Sequence, residues 1–268
     1  MNIDLVLMRS LFISYFCNIN GVKMKQLFAF IFLVLILISS CKQQRPDVSH
    51  VTPPIRIGHF DHAFFNMDSA NFSSDLQRLK MDFPDFFQVD QDDAEIKKRF
   101  LDPQVRELHK AVDSSFSDMN LFDQELYAAF QHFYHYFPTH KPMRIHTWVS
   151  NFERLDPILV SEQSLLVSLD MYLGADAHFY HTAPDYIKQG FDKKYVLSDL
   201  FFAYFGANIP LSDDNSLLAS MLHHGKIHYL TTLMVPEESE EVVMGYSPTK
   251  MAWCFENEAD VWAYFIEH

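Results

Sequence analysis

Residues 27 to 38 read Leu-Phe-Ala-Phe-Ile-Phe-Leu-Val-Leu-Ile-Leu-Ile, with no polar interruption. That run decides where a folded body can begin. A helix needs about twenty apolar residues to cross a bilayer comfortably. A run of about a dozen is too short for that and fits the central segment of an export signal. Lys23 and Lys25 supply the positive charge such a segment carries in front of it. Residues 1–40 are therefore expected to be a signal peptide. Met24 reads as the true start and residues 1–23 as a mis-called extension, because the apolar stretch there is broken by Arg9 and adds nothing an export signal requires.

The next residues, Ile38-Ser39-Ser40-Cys41, resemble the lipobox of bacterial lipoproteins: an aliphatic residue, two small residues, then cysteine. Small residues before the cut suit the peptidase pocket, and the Cys41 sulfur is the expected lipid attachment. Each buried acyl methylene is worth about 0.8 kcal/mol, so two or three chains hold a protein on a membrane almost permanently. Residues 41–54, with Gln43, Gln44, Pro53 and Pro54, read as a short lipidated tether. No acidic residue follows the cysteine before Asp47. The expectation is a lipid-anchored cell-envelope protein on the periplasmic side rather than on the cell surface.

Residues 55–268 are expected to form one domain. The chain has 26 Phe and only 7 Gly, which suits a compact helix-rich body and argues against repeats or disorder. The formal charge is −14, and the leader takes away Arg9, Lys23 and Lys25 against Asp4, so the mature chain is more acidic still. Such a surface repels phosphate backbones, and no nucleic-acid partner is expected. Of the three cysteines, Cys17 lies in the leader and Cys41 is the acylated one. Cys254, in Ala-Trp-Cys-Phe, reads as a buried, inert thiol.

The patterning predicts an α+β fold, predominantly helical, with a small antiparallel sheet. His59–Met67 reads as a short strand or turn. Helices are expected from Asn71 or Ser73 to Asp82, over Asp93–Phe100, and from Pro103 to about Asp118, where Pro at the first helical position is well placed. Leu126, Phe130, Phe133 and Phe137 recur at helical spacing within 121–137. Strands are expected at 144–150, 158–160 and 164–169. Helices follow over 183–189, 192–205 and 215–234. The acidic run 237–241 reads as a loop, and one helix is expected from Pro248 onward.

The 14 histidines include four pairs at helical spacing: His59/His62, His132/His135, His178/His181 and His224/His228. His224-Gly225-Lys226-Ile227-His228 has the His spacing of a zinc peptidase helix, but Gly225 stands where the general-base Glu belongs. No metal is expected, with His224 and His228 as the remaining candidates, and no cofactor. No nucleophile elbow, Walker loop or dinucleotide fingerprint is present. Another reading is a ligand pocket built from Phe130, Phe133 and Tyr136.

Several blocks resemble the gliding motility lipoprotein GldB family: Phe60-Asp61, Ser168–Asp176, Pro184–Ile187, Tyr195–Asp199, Gly225–Leu230, Gly245–Ser247, Trp253, Asn257-Glu258 and Val261-Trp262. The resemblance spans nearly the whole mature chain. It implies an envelope lipoprotein supporting bacterial gliding, linked to the type IX secretion and motility apparatus, with protein partners there and a structural rather than enzymatic role. It also implies a zincin-like architecture without an intact metal site. Phe201, Phe202 and Tyr204 fall where active relatives of that architecture carry metal ligands. Members usually continue beyond the helix at which this chain ends, so a C-terminal truncation is expected. The alternative is a lipid-anchored, zinc-dependent peptidase-like protein using His224 and His228.

Overall fold

The computed structural model describes residues 45–267 apart from 90, 154, 155 and 215. The signal peptide, the lipobox and Cys41 lie outside the described residues. All elements below belong to the compact unit Asp47–His268.

The chain enters through β1 (Ile55–His59) and turns directly into α1 (Phe60–Phe65). Then come α2 (Phe72–Asp82), a short 3-10 turn at Pro84–Phe86, α3 (Asp93–Leu101), α4 (Pro103–Ser115) and the long α5 (Met119–Tyr136). The rest of the sheet follows as β2 (Met143–Trp148), β3 (Ile158–Val160) and β4 (Ser164–Ser168). The remainder is helical: α6 (Asp185–Lys188), α7 (Val196–Asn208), α8 (Leu217–Met234), α9 (Glu240–Val243), α10 (Pro248–Glu256) and α11 (Glu258–Glu267).

The helix starts are chemically explicit. Asp92 accepts from the Ala94 amide, Asp102 from Gln104 and Val105, and Asp118 from Leu121. Each side chain satisfies a backbone donor that the first turn leaves free, worth about 1 kcal/mol. Pro103 sits at the first position of α4, where its missing N–H costs nothing.

The expected antiparallel sheet is instead mixed, with strand order β1-β2-β4-β3. β1 runs parallel to β2 and β2 parallel to β4, and only β3 pairs antiparallel, with β4. Alternation of side chains reports which face a strand buries, not its direction. Direction follows from the connections: the long helical crossover from β1 to β2 permits parallel pairing, whereas the short link from β3 to β4 forces a hairpin.

Other boundaries moved as well. The strand expected to begin at His59 ends there, and residues 60–65 coil into α1 because Phe64 and Phe65 bury together. The acidic run is only partly a loop. Its second half forms α9, pulled in by buried Val243, with Glu240 and Glu241 at the favourable, positive end of the helix. The last helix is broken at Asn257, whose side chain donates back to the Trp253 carbonyl at 2.8 Å.

The core lies between the sheet and α5 and α7. Phe130 and Phe133 of α5 meet Phe201 of α7, with ring centroids 5.2 and 6.1 Å apart. All three are essentially fully buried, as are Ile145 and Leu165 beneath them. Each such side chain contributes about 1.5–3 kcal/mol by leaving water. This overturns the pocket built from Phe130, Phe133 and Tyr136: the two Phe rings fill the core, and Tyr136 is exposed. Cys254 is half-buried rather than buried, because its neighbours Trp253 and Phe255 both face outward.

Candidate functional site at the strand ends

Parallel strands deliver their last residues to one edge, and crevices there are common ligand sites in open sheets. In this protein His59 closes β1 opposite Thr147, and Trp148 closes β2 opposite Ser168 of β4. His59 and Thr147, polar side chains at the ends of β1 and β2, are thereby brought together with α1 and α4.

One cluster is centred on Asp61, only 1% exposed, in the first turn of α1. The Thr147 hydroxyl donates to Asp61 Oδ1 at 2.6 Å. The same hydroxyl lies 3.1 Å from His59 Nδ1, and His59 Nε2 lies 3.2 Å from Asp123 Oδ2 on α5. On the other side, His62 Nε2 is 3.8 Å from Asp61 Oδ2 and 3.2 Å from Asp113 Oδ1 on α4. His109, also on α4, brings its Nε2 within 3.4 Å of that same Asp113 oxygen, while its ring stacks on Phe65 at 4.2 Å. Asp61 Oδ2 and His109 Nε2 are buried and have no hydrogen-bond partner among the described residues. Burial pushes the His109 imidazole toward its neutral form, an effect that Asp113 opposes.

Beside this cluster opens a cleft of about 730 Å³, lined among others by Phe60, Asp61, Phe86, Arg99, Trp148 and Glu153. Phe60 and Phe86 stack at 3.8 Å to make one wall. Arg99 is held by Glu153 at 2.5 Å and by the Val149 carbonyl at 2.8 Å. Beneath the wall, Asp85 receives two hydrogen bonds from Arg144, at 2.7 and 2.9 Å, and lies 3.0 Å from His146 Nε2. The Arg144 guanidinium holds the Asp85 carboxyl below its ordinary range. Burial pushes His146 down, against the pull of Asp85.

A third polar point, Asp170, follows β4. Its carboxylate accepts from the Ser150 amide at 2.8 Å and the Ser150 hydroxyl at 2.9 Å. It thereby holds a turn in which Asn151 and Phe152 both take left-handed backbone angles, φ 57° and 56°. Burial pushes the Asp170 carboxyl up, and the Ser150 hydrogen bonds oppose it.

The residues singled out from the sequence lie elsewhere. His224 is exposed and His228 half-buried on α8, both against the Phe202 ring, with centroids 6.4 and 4.8 Å away. Burial pushes His228 down. Among the described residues no third metal-ligating side chain groups with them, whereas Asp61, His62 and His109 do form such a group. His132 and His135 are half-buried on α5, and His178 and His181 are exposed. Of the four His pairs, only His59/His62 reaches the strand-end cluster. Of its partners, Asp61 falls in the Phe60-Asp61 block of the family resemblance, whereas His109, Asp113, Asp123 and Thr147 were not marked by any local pattern.

The fold is a helix-rich α+β body on a small mixed sheet, with a buried carboxylate and imidazole cluster at the strand ends. None of its described helices is long and apolar enough to cross a membrane. The chain belongs to the GldB family, whose model, described as "Gliding motility protein GldB", matches residues 41–268. No curated protein and no solved structure matches it.

Proposed function

We propose that this chain is a lipid-anchored envelope component of a gliding apparatus, connected with type IX secretion, and that its role is structural rather than catalytic. One observation carries the reading: the family match begins at Cys41, the residue the lipobox marks as the first of the mature chain. A gliding motility family and an independently legible acylation signal meet at the same residue. The zincin-like ancestry expected from the resemblance belongs to the same reading. On that reading Phe201, Phe202 and Tyr204 of α7 stand where ligands are expected, two of them buried, and leave no metal site there. Gly225 on α8 supplies no general base between His224 and His228. The periplasmic side is favoured over the cell surface because no acidic residue stands between Cys41 and Asp47.

The test has two arms. Cys41→Ser should move the protein from the membrane fraction to the soluble fraction and abolish incorporation of labelled fatty acid. Deletion of the gene should stop colony spreading on agar, with the unaltered gene restoring it and the Cys41→Ser gene restoring it poorly. Normal spreading of deleted cells would remove the motility role, and unchanged membrane retention of Cys41→Ser would remove the lipid anchor.

A further inference from the structure

We infer that Asp61, His62, His109 and Asp113 form a structural site for a divalent transition-metal ion, with zinc the best match, that clasps α1 to α4. Three observations carry this. The first is spacing. The ligand atoms of Asp61, His62 and His109 lie within 4.8 Å of one another. His62 Nε2 and His109 Nε2 stand 3.2 and 3.4 Å from Asp113 Oδ1, and His62 Nε2 stands 3.8 Å from Asp61 Oδ2. A tetrahedral zinc ion with bonds of about 2.0–2.2 Å holds neighbouring donor atoms about 3.3–3.6 Å apart. The two imidazoles already stand at that spacing from Asp113, and Asp61 closes the site by a side-chain shift of about 1 Å.

The second observation is the orphaned donors. Asp61 is almost wholly buried, yet its Oδ2 has no hydrogen-bond partner among the described residues, and neither does His109 Nε2. Leaving such groups without a hydrogen bond costs free energy of a kind that a bound cation recovers.

The third is the outer support. A metal-ligating group is generally oriented by a hydrogen bond to its free side. Thr147 donates to Asp61 Oδ1, leaving Oδ2 for the site, and His59 and Asp123 continue that chain. Two carboxylates neutralise a divalent charge. Two imidazoles favour zinc and its transition-metal neighbours over magnesium or calcium, which take oxygen donors. The nearby cation, Arg106, is turned away: its Nε donates to the Phe100 carbonyl and its guanidinium lies over the Phe100 ring. The site is distinct from the His224/His228 pair and does not depend on lipidation or motility.

The experiment uses the full chain in detergent, stripped with chelator and titrated with Zn2+ alone and with Co2+ alone. The expected result is one ion per chain, a raised Tm on Zn2+ addition, and the intense visible absorption of tetrahedral Co2+. His62→Gln and His109→Gln should each weaken zinc binding at least about 100-fold. His62 is part-exposed, so His62→Gln decides the matter even if His109→Gln misfolds. Failure to bind zinc stoichiometrically overturns the proposal. So does binding that survives His62→Gln but is lost in His224→Ala, since that result places the ion on α8.

Discussion

The Thr147 hydroxyl reaches from the end of β2 to the buried carboxylate of Asp61 in α1, at 2.6 Å. This bond joins residues far apart in sequence and orients the one carboxylate that the cluster keeps from water. Thr147 is fully buried and serves His59 as well as Asp61. Thr147→Val preserves the shape and removes both bonds. The buried Asp61 carboxylate and the part-exposed His59 imidazole each lose a partner, at a cost of about 2–3 kcal/mol. Urea denaturation in chelator should show the midpoint falling with an unchanged slope, and Thr147→Ser should recover much of the loss. An unchanged midpoint for Thr147→Val would mean the bond contributes nothing to stability.

Gly58 lies in β1 directly over His146. A Cβ added there would stand 2.7 Å from His146 Nδ1 and 2.9 Å from the Phe83 ring. The imidazole cannot yield easily, because Asp85, itself held by Arg144, pins it. Gly58→Ala should therefore destabilise by about 2 kcal/mol or more, in the range of overpacked cores. Thermal unfolding measures this, and a Tm equal to the parent's would show that the His146 ring moves freely.

The Asp170 carboxylate holds the Ser150 amide and hydroxyl and so secures the left-handed pair Asn151 and Phe152. Such backbone angles are costly for a residue like Phe and persist only under outside constraint. Asp170→Ala should cost about 2–4 kcal/mol and loosen the turn. Hydrogen exchange should quicken at 150–153 well beyond the general effect of lower stability. Uniform acceleration across the protein would argue that the turn stands without Asp170.

Asp199 on α7 accepts from the Tyr172 hydroxyl at 2.9 Å. The residue is half-buried and its carboxyl is crowded by protein, and burial pushes its pKa up from 3.8 to about 6. A raised acid pKa favours the folded state while the group is protonated. That contribution is fully present below about pH 3.8 and is lost as pH rises through about 6. With a discount for the exposed part of the residue, the loss is about 1–2 kcal/mol. Asp199→Asn keeps an acceptor for Tyr172 and removes the charge. Its Tm relative to the parent should be higher at pH 7.5 than at pH 4. A difference that does not change with pH would show that Asp199 titrates normally.

The helices were legible because their determinants are local. Asp102-Pro103 announces α4, and the spacing of Leu126, Phe130 and Phe133 announces the buried face of α5. The strands β2, β3 and β4 were also legible within a residue or two. β1 was displaced, since Arg56 and Gly58 blur its pattern and the aromatic residues that suggested a strand belong to α1. The strand-end cluster was hidden for a different reason. His109 and Asp113 are an ordinary pair one turn apart, and Thr147 is one polar residue in an apolar strand. Their meaning comes only from being set against Asp61.

The family was legible in short contiguous stretches, and the expected export signal and lipidation motif are read from such stretches too, where neighbouring side chains suffice for recognition. Strand direction and the Asp61 cluster were decided by the tertiary structure. Both depend on long crossovers that bring β1, β2 and α4 together, and the free energy that chooses among such arrangements comes from burying faces far apart in sequence.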